Sequence, residues 1–467
     1  MCGLFGFWLN RPLSDDDIKS ADKHLLNLNH RGPDNQESWF NKEIGIYLGH
    51  TRLSIIGLDV KNNQPLVTDK STIIYNGELY NFNNIKNKLI EKGYTFKTDT
   101  DTEVVQIAWQ HWGKSCFDLF DGMFAFAIFD NKNLNLVNDF FGEKPIYYLN
   151  NKEGFFFASE IDILVKFTKA QINMSKTDDT DFLALGFLNF PNTGFEGIKY
   201  LEPASIISIN EDKKIDIKKY WELEKINPKD LKKNLEKSDL KKIQNLLIES
   251  LENRLFADVN LGLFLSSGID STLVATLLSK ELNTNINAYT VGFPQGVDES
   301  LKAKEIADYL KINHTIINSD DDLKSKNLID LLFDLYGELN DNLTGLSIFQ
   351  ISKESKKNIT VALSGIGGDE LFYGYNKYSF LFKNRFYYNL NRNIYSSVLS
   401  FIANLKIAKK IENIDAYLNC NENLRFIALK DLQTKKLLSK FKLKNSSLNF
   451  IHNQSSFLEK VRNYDLL

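Results

Sequence analysis

The chain predicts two successive folds, an α+β domain over residues 1–220 and an α/β domain with a parallel sheet over residues 241–467. In the first region, short apolar and aromatic runs are broken by Gly, Asn and Asp, a pattern typical of strands in packed sheets. The second region alternates strand, Gly-rich turn and helix, which is typical of a parallel sheet. A charged, apolar-poor stretch at 221–240 separates the two and predicts a linker.

In the first region, five runs predict strands and two helical patterns interrupt them. The predicted strands are 44–48, 71–75, 123–129, 134–137 and 154–158. One helix is indicated by Ile18, Leu25 and Leu26, and the other by apolar spacing over 104–112 after the polar start Thr102-Glu103.

In the second region, a strand at 262–265 enters a Ser/Gly turn and is followed by a helical pattern at 273–278. A strand at 287–293, an amphipathic helix at 303–310 and a strand at 360–363 come next, and the last strand enters another Gly turn. In a parallel sheet of this kind, ligands bind beyond the carboxyl ends of the strands.

Composition excludes several classes of function. The 467 residues are 43% hydrophobic and 25% charged, which is ordinary for a globular protein, and the net charge of −3 leads us to expect no nucleic-acid partner. The three cysteines are far apart and lack Cys-x-x-Cys spacing, which disfavours both a disulfide framework and a zinc site. No signal-like segment and no apolar run near ~18 residues is found, so we expect a soluble cytoplasmic protein with no membrane contact.

The chain begins Met1-Cys2-Gly3, and removal of Met1 would place a thiol and a free amine on one residue. An α-amine titrates at about pH 8 and a thiol at about 8.5, so the two groups are suited to exchange protons during acyl transfer. A lone cysteine at this position is more often a small apolar residue before a first strand. The assignment of Cys2 as a nucleophile therefore depends on the rest of the chain.

The strongest local motif is LSSGIDST at 265–272, where an apolar strand runs directly into a Ser/Gly turn and then a helix. Backbone N–H groups and hydroxyls in such a turn face an anion at the helix N-terminus. The turn lacks the Walker spacing and matches the Ser-Gly-Gly-x-Asp-Ser type, which binds the pyrophosphate of ATP in adenylating enzymes. Asp270 is suited to help hold Mg²⁺, and the alternative is a Ser-rich helix cap.

A second Gly turn, LSGIGGDELF at 363–372, also follows a predicted strand. Its adjacent carboxylates Asp369 and Glu370 beside three glycines suit metal-pyrophosphate binding at close backbone approach. Taken alone, an Asp-Glu pair is more often a solvated charge at a helix N-terminus. The presence of the first turn favours the metal-pyrophosphate interpretation.

Four clusters in the first region accompany Cys2. They are HRGPD at 30–34, RLSI at 52–55, YNGELYN at 75–81 and TDTDTE at 98–103. Each alone reads as a turn, and Asn76-Gly77 is ordinarily a hairpin signal. Together, in this order after Cys2, they resemble class II glutamine amidotransferases of the N-terminal-nucleophile type. With the two ATP-type turns, the chain from residue 1 to 375 resembles the glutamine-hydrolysing asparagine synthetases.

The resemblance implies an N-terminal-nucleophile αββα sandwich followed by an ATP-pyrophosphatase-type domain. Such enzymes are ligases that form a carbon–nitrogen bond: the first domain releases ammonia from glutamine, and an internal tunnel passes it to the second. There ATP activates aspartate as β-aspartyl-AMP. The resemblance also implies a homodimer, which many relatives form through the first domain.

The resemblance assigns roles in the first domain residue by residue. Cys2 attacks the glutamine side-chain amide, and its own amine relays the proton. The Asn76 side chain and the Gly77 backbone N–H stabilise the oxyanion. Arg52 holds the α-carboxylate of glutamine, and Asp101 and Glu78 accept from its α-ammonium group.

In the second domain, the resemblance assigns ATP to the ends of three strands. The pyrophosphate group is assigned to Leu265, Ser266, Gly268, Asp270 and Ser271. Val291 and Gly292 border adenine, Ser364 and Gly365 line the acyl-adenylate site, and Asp369 joins Asp270 in binding Mg²⁺.

Two departures from the family pattern leave alternatives open. Ile366 stands where many relatives have Glu or Asp, so the acceptor is either aspartate or another carboxylate, such as an acidic sugar or a natural-product precursor. Relatives continue beyond the region matching 461–467, so we expect the second domain to be incomplete at its C-terminus, as either a fragment or a natural short form. A third interpretation is a glutaminase or binding protein whose second domain is degenerate.

Overall fold

The computed structural model describes residues 1–375, apart from 131, 176–177, 179–181, 183–185, 224–234, 293–297, 319–327, 339, 341 and 343. The chain end at 461–467, where the sequence predicts an incomplete domain, lies outside these residues.

The first domain contains two six-stranded antiparallel sheets. The first sheet has the order β10-β8-β9-β1-β3-β2 and the second has the order β12-β11-β7-β6-β5-β4. The strands are β1 Gly3–Leu9, β2 Asn35–Asn41, β3 Ile46–Arg52, β4 Leu66–Val67, β5 Ser71–Leu79, β6 Gly122–Asp130, β7 Asn133–Asn138, β8 Tyr147–Asn150, β9 Gly154–Ala158, β10 Ile198–Tyr200, β11 Ser205–Ile209 and β12 Ile215–Lys219.

The two sheets pack face to face, with helices on both outer faces. Side chains from both sheets share one buried cluster that includes Leu4, Leu48, Ile74 and Leu136. Helices α1 (Asp15–Leu25) and α4 (Ile161–Thr168) cover the first sheet, whereas α2 (Phe82–Glu91) and α3 (Asp101–Trp112) cover the second. These four layers confirm the predicted αββα sandwich.

Strand β5 differs from its prediction at its C-terminal end. The structure extends it from Ser71 to Leu79, so Asn76 and Gly77 lie inside a strand and do not form a hairpin turn. All of β5 pairs with β6, from Ser71 opposite Asp130 to Leu79 opposite Gly122. A Cβ at Gly77 would lie 2.4 Å from the Met123 carbonyl oxygen, so this close pairing requires glycine.

The second domain begins with helix α5 (Lys237–Arg254), whose first turn falls in the stretch that charge pattern predicts as linker. A four-stranded sheet follows with the order β15-β14-β13-β16, and every strand pair in it is parallel. Its strands are β13 Leu261–Phe264, β14 Asn287–Gly292, β15 His314–Asn318 and β16 Val361–Leu363. This arrangement confirms the predicted parallel α/β domain.

Helices lie on both faces of this parallel sheet. The helices that follow α5 in the chain are α6 Ile269–Thr276, which continues as a π-helical turn over Leu277–Glu281, α7 Ser300–Leu310, α8 Leu328–Tyr336, α9 Thr344–Ser355 and α10 Gly368–Phe372. Side chains of α5, α6 and α7 pack on one face, and α9 packs on the other through Ile351. Within the described part of the chain, no helix is both long and apolar enough to cross a membrane.

Candidate active sites

One cavity of about 210 Å³ collects the predicted site residues of the first domain. Cys2, which precedes β1, lines it together with residues that are distant in sequence. The others are Arg52 at the end of β3, Asn76, Gly77 and Glu78 on β5, and Asp101 at the start of α3. The fold thus brings together all six residues that the motifs predict.

Hydrogen bonds to three residues hold Cys2 in place. Its N–H donates to Asn76 Oδ1 at 3.0 Å, and its Sγ accepts from the Leu53 N–H at 3.4 Å. Its carbonyl oxygen accepts from Arg31 Nε at 2.9 Å, and Glu160 in turn holds the Arg31 guanidinium at 3.0 Å. Burial raises the pKa of the Cys2 thiol, and the nearby chain-terminal amine opposes that shift.

Two hydrogen-bond donors on β5 remain available to a ligand. Asn76 Nδ2 is buried and has no hydrogen-bond partner among the described residues. Phe124, which lies opposite Gly77, uses both its N–H and its carbonyl oxygen on Asp139, at 3.2 and 2.8 Å. The backbone polar groups of Phe124 therefore point away from β5, and Gly77 forms no hydrogen bond with β6. The Gly77 N–H points to the opposite edge of β5, where Gly77 lines the cavity.

Two carboxylates lie side by side in the same cavity. Asp101 Oδ2 accepts from the N–H of Leu79, the residue after Glu78, at 2.9 Å. Burial raises the pKa of Asp101 to about 6. Burial and the Asp101 charge also raise the pKa of Glu78 well above its ordinary range. Both carboxylates would be stabilised by a cation between them, which is what the ammonium group of an amino acid supplies.

Arg52 is engaged differently from what its assigned role suggests. Only 4% of the residue is exposed. Its two Nη atoms donate to the carbonyl oxygens of Ile56, Gly57 and Asp59 and to Asn63 Oδ1. These four acceptors match the four Nη hydrogens, which leaves the Nε–H as the guanidinium donor with no hydrogen bond among the described residues.

Lys144 is a cavity residue to which the sequence analysis gave no role. It is 7% exposed and lines the cavity, and burial lowers its pKa. Asp139 positions it, because the Asp139 carboxylate accepts from the backbone N–H groups of Phe124, Phe141, Glu143 and Lys144 at 3.0 to 3.2 Å. The sequence did contain a sign of this turn, because Asp139 directly follows a strand and stands three residues before Gly142. That spacing is typical of a turn whose backbone N–H groups are capped by an Asp side chain.

In the second domain, the 265–272 segment forms a compact turn between β13 and α6. Ser271 Oγ accepts from the Ser266 N–H at 3.1 Å, and Ser266 Oγ accepts from the Gly268 N–H at 3.1 Å. The Ser267 N–H donates to a carboxylate oxygen of Glu299 at 3.3 Å, so the turn already holds an anionic group. Leu265 is buried in the core with both backbone groups paired, and it does not face the open side of the turn.

The second Gly turn packs directly on the first. A Cβ at Gly365 would lie 2.6 Å from the Ser271 nitrogen, and a Cβ at Gly368 would lie 2.5 Å from the Asp270 carboxyl carbon. Glycine at both positions therefore permits the turns after β13 and β16 to meet. The contact brings Ser364, Gly365 and Asp369 to the same edge of the sheet as Asp270.

The remaining predicted ATP residues, Val291 and Gly292, end β14 beside β13. They therefore share the carboxyl edge of the sheet with both turns. Ile366 lies at the tip of the second turn and is 77% exposed.

Asp270 and Asp369 are suited to a magnesium ion that also binds phosphate. The described residues contain no cluster of three or more His, Cys, Asp or Glu side chains that could hold a metal. Mg²⁺ commonly uses only one or two carboxylates together with substrate phosphates and water. Glycine at 368 lets the Asp270 carboxylate pack against the turn that carries Asp369, so the two carboxylates belong to turns in direct contact.

Comparison with known proteins divides the chain into the same two halves. Residues 1–221 match the glutamine amidotransferase domain family, and residues 242–461 match the asparagine synthase family.

Individual relatives match both halves together. Asparagine synthetase [glutamine-hydrolyzing] 1 of Bacillus subtilis is 34% identical over 81% of this chain, which spans 59% of the relative's length. A provisionally named asparagine synthetase [glutamine-hydrolyzing] of Methanocaldococcus jannaschii is 32% identical over 80% of this chain and 76% of its own length. Amidase chry2 of Gibberella zeae is 28% identical over 81% of this chain and 60% of its own length.

Proposed function

Because the chain belongs to the family of glutamine-hydrolysing asparagine synthetases, we propose that it transfers the amide nitrogen of glutamine to a carboxylate that ATP activates. The proposed acceptor is aspartate, which gives asparagine, glutamate, AMP and pyrophosphate. The observation that carries this proposal is the single cavity in which Cys2, Asn76, Gly77 and a pair of buried carboxylates meet.

The first step is attack by Cys2 on the side-chain amide of glutamine. Once Met1 is removed, the Cys2 nitrogen is a free amine that Asn76 Oδ1 holds in place by accepting a hydrogen bond from it. This amine takes the thiol proton. Sγ bonds to the amide carbon, and Asn76 Nδ2 and the Gly77 N–H hold the negative oxygen. The amine then protonates the leaving nitrogen, ammonia departs, and water hydrolyses the thioester to glutamate.

Protonation states at this site favour the proposed step. Burial lowers the pKa of the chain-terminal amine of Met1 to about 6, with smaller contributions from Arg31 and Lys144. Burial would act in the same direction on the pKa of a Cys2 amine and favour the neutral form, which can accept a proton. The α-ammonium group of glutamine would lie against Glu78 and Asp101, and its carboxylate would face Arg52.

The second half-reaction uses the two Gly turns. The turn after β13 would hold the pyrophosphate part of ATP through backbone N–H groups and the hydroxyls of Ser266 and Ser271. Asp270 and Asp369 would hold Mg²⁺, which when bound would neutralise charge on the departing pyrophosphate. The acceptor carboxylate attacks the α-phosphorus, and ammonia then attacks the acyl carbon and releases AMP.

Ammonia is proposed to travel inside the protein between these sites. The glutamine cavity is lined not only by the first domain but also by Thr360, Val361 and Ala362 of the second. Val361 and Ala362 belong to β16, and Ser364 directly follows that strand. Ammonia released at Cys2 is thus formed beside the strand that leads to the acyl-adenylate turn.

The variant Cys2→Ala tests the assignment of two separate sites. We expect glutamate release from glutamine to fall to background, because no other group in the cavity can form the thioester, whereas pyrophosphate release with free ammonia stays near the wild-type rate. Cys116→Ala is the matched control, since Cys116 is a buried free cysteine of the first domain outside the cavity. Loss of both activities in Cys2→Ala alone would contradict the proposal.

A second candidate keeps this mechanism and changes the acceptor. The exposed apolar side chain of Ile366 lies beside the proposed acyl-adenylate residues, where it supplies no charge to an amino-acid acceptor. Relatives named as amidases match the chain over a similar length. Acceptor-dependent pyrophosphate release, compared across aspartate, acidic sugars and other carboxylates, separates the candidates. Release with none of them, while glutamine is still hydrolysed, would support a glutaminase alone.

A further inference from the structure

The segment at the junction of α5 and β13 contacts the first domain beside two elements that line the glutamine cavity, β5 and the loop after β3. At residues 254–258, here called the docking segment, the guanidinium carbon of Arg254 lies 4.1 Å from the Tyr80 ring centroid. The Phe256 ring lies 5.4 Å from that of Phe82. Tyr80 and Phe82 follow the end of β5, the strand that carries Asn76, Gly77 and Glu78. The second domain is therefore anchored next to the catalytic strand of the first.

Asp258 extends this docking segment to the loop after β3. Its carboxylate accepts from the Gly57 N–H at 2.7 Å, and its own backbone N–H donates to the Ile55 carbonyl oxygen at 2.9 Å. Ile55 and Ile56 line the cavity. Asp258 thus both accepts a hydrogen bond from the loop 55–57 and donates one to it. The bond that it accepts has the charged carboxylate as its acceptor.

Gly57 connects Asp258 to Arg52. Its N–H donates to Asp258, whereas its carbonyl oxygen accepts from the Arg52 guanidinium. Gly57 has φ of +67°, and a Cβ there would lie 2.5 Å from Asn62 Nδ2, so the loop adopts a conformation that few residues allow. Any movement of the loop away from Asp258 would also move the carbonyl groups that hold Arg52.

We propose that Asp258 is a positioning residue of the glutamine site, supplied by the second domain. It holds the loop 55–57 so that Arg52 is presented to the glutamine carboxylate in a fixed place. This inference rests on the proposed function. It implies that glutamine is bound tightly only while the docking segment is in contact with the first domain, and Asp258 lies three residues before β13, whose end carries the pyrophosphate turn.

The test compares three variants of the full chain by glutamine hydrolysis and by ATP binding. In Asp258→Ala we expect KM for glutamine to rise about three- to tenfold, because an exposed charge-assisted hydrogen bond is lost, with kcat changed by less than about twofold. Asp258→Asn should recover most of the affinity, since its amide oxygen can still accept from Gly57. Glu252→Ala, an exposed acidic residue on the last turn of α5, should match wild type.

ATP dissociation constants separate positioning from general damage. We expect Asp258→Ala to bind ATP as wild type does. An unchanged KM for glutamine in Asp258→Ala would overturn the inference, as would a loss of ATP affinity in parallel, which would indicate a disturbed β13. Absence of glutamine hydrolysis in the wild-type protein would instead contradict the proposed function itself, and with it the role of Asp258.

Discussion

Glu78 and Asp101 face the glutamine cavity as two carboxylates that burial makes difficult to ionise together. Lys144 partly offsets this effect, because its charge lowers the pKa of Glu78. A bound ammonium group would favour the ionised form of both side chains. Under the proposed function, this pair of carboxylates would favour a substrate that carries an ammonium group.

Glutamine affinity should therefore depend on pH through Asp101. Its pKa is about 6 in the free protein, so below that pH the protonated carboxyl no longer attracts the substrate ammonium. We expect KM for glutamine to rise as the pH falls through about 6. Initial rates of glutamate release across glutamine concentrations at each pH measure this. In Asp101→Asn, KM should be high throughout and lack this rise. A flat profile in the wild type would contradict the ammonium role of Asp101.

At the scale of single residues, the motifs predicted which side chains meet in the cavity, whereas the roles of these side chains stay predictions. Cys2, Asn76 and Asp101 line the cavity together, although each of their motifs taken alone is typical of an ordinary strand or turn. The engagement of Arg52 was not visible, because it depends on how the loop after β3 folds back on the guanidinium. Lys144 was missed for a similar reason, since its place in the cavity is determined by the Asp139 carboxylate.

Among the elements, the sequence predicted strands with a strong apolar pattern, but it did not predict strand ends that depend on pairing with a neighbouring strand. Gly154–Ala158 agrees with its prediction, whereas β5 runs four residues further than predicted because β6 pairs with it along its whole length. Helix α2 was not predicted, although its buried residues Phe82, Ile85 and Leu89 have helical spacing. The short strand β12 is mostly exposed and carries little apolar signal.

The contact between the two Gly turns gives a prediction for the second domain. In Gly368→Ala the new methyl group would lie 2.5 Å from the Asp270 carboxyl carbon, so the carboxylate must move. We expect pyrophosphate release to fall at least about tenfold, in line with the effect of about 1 Å misplacement at a reacting centre. Glutamine hydrolysis by the same variant should stay at the wild-type rate, which makes it an internal control. Normal pyrophosphate release would show that Asp270 does not act at this place.

For the whole molecule, two domains and their order were predictable from the change in pattern near residue 221, and the fold of each is confirmed. Contacts between the domains were not predictable. Val361 of β16 and Cys2 line the same cavity, although they lie at opposite ends of the described chain. No local pattern encodes that approach, and the docking segment was likewise invisible before Asp258 was placed beside Gly57. The domain limits and the homodimer stay predictions.

The most direct test of the central claim is one reaction of the wild-type protein with amide-nitrogen-labelled glutamine, aspartate and MgATP. Mass spectrometry of the products and nucleotide analysis are performed on the same sample. The two-domain mechanism predicts that the label appears in the amide of the acceptor product, with AMP and pyrophosphate formed in equal amounts to it. Formation of ADP in place of AMP, or an amide product without the label, would contradict it.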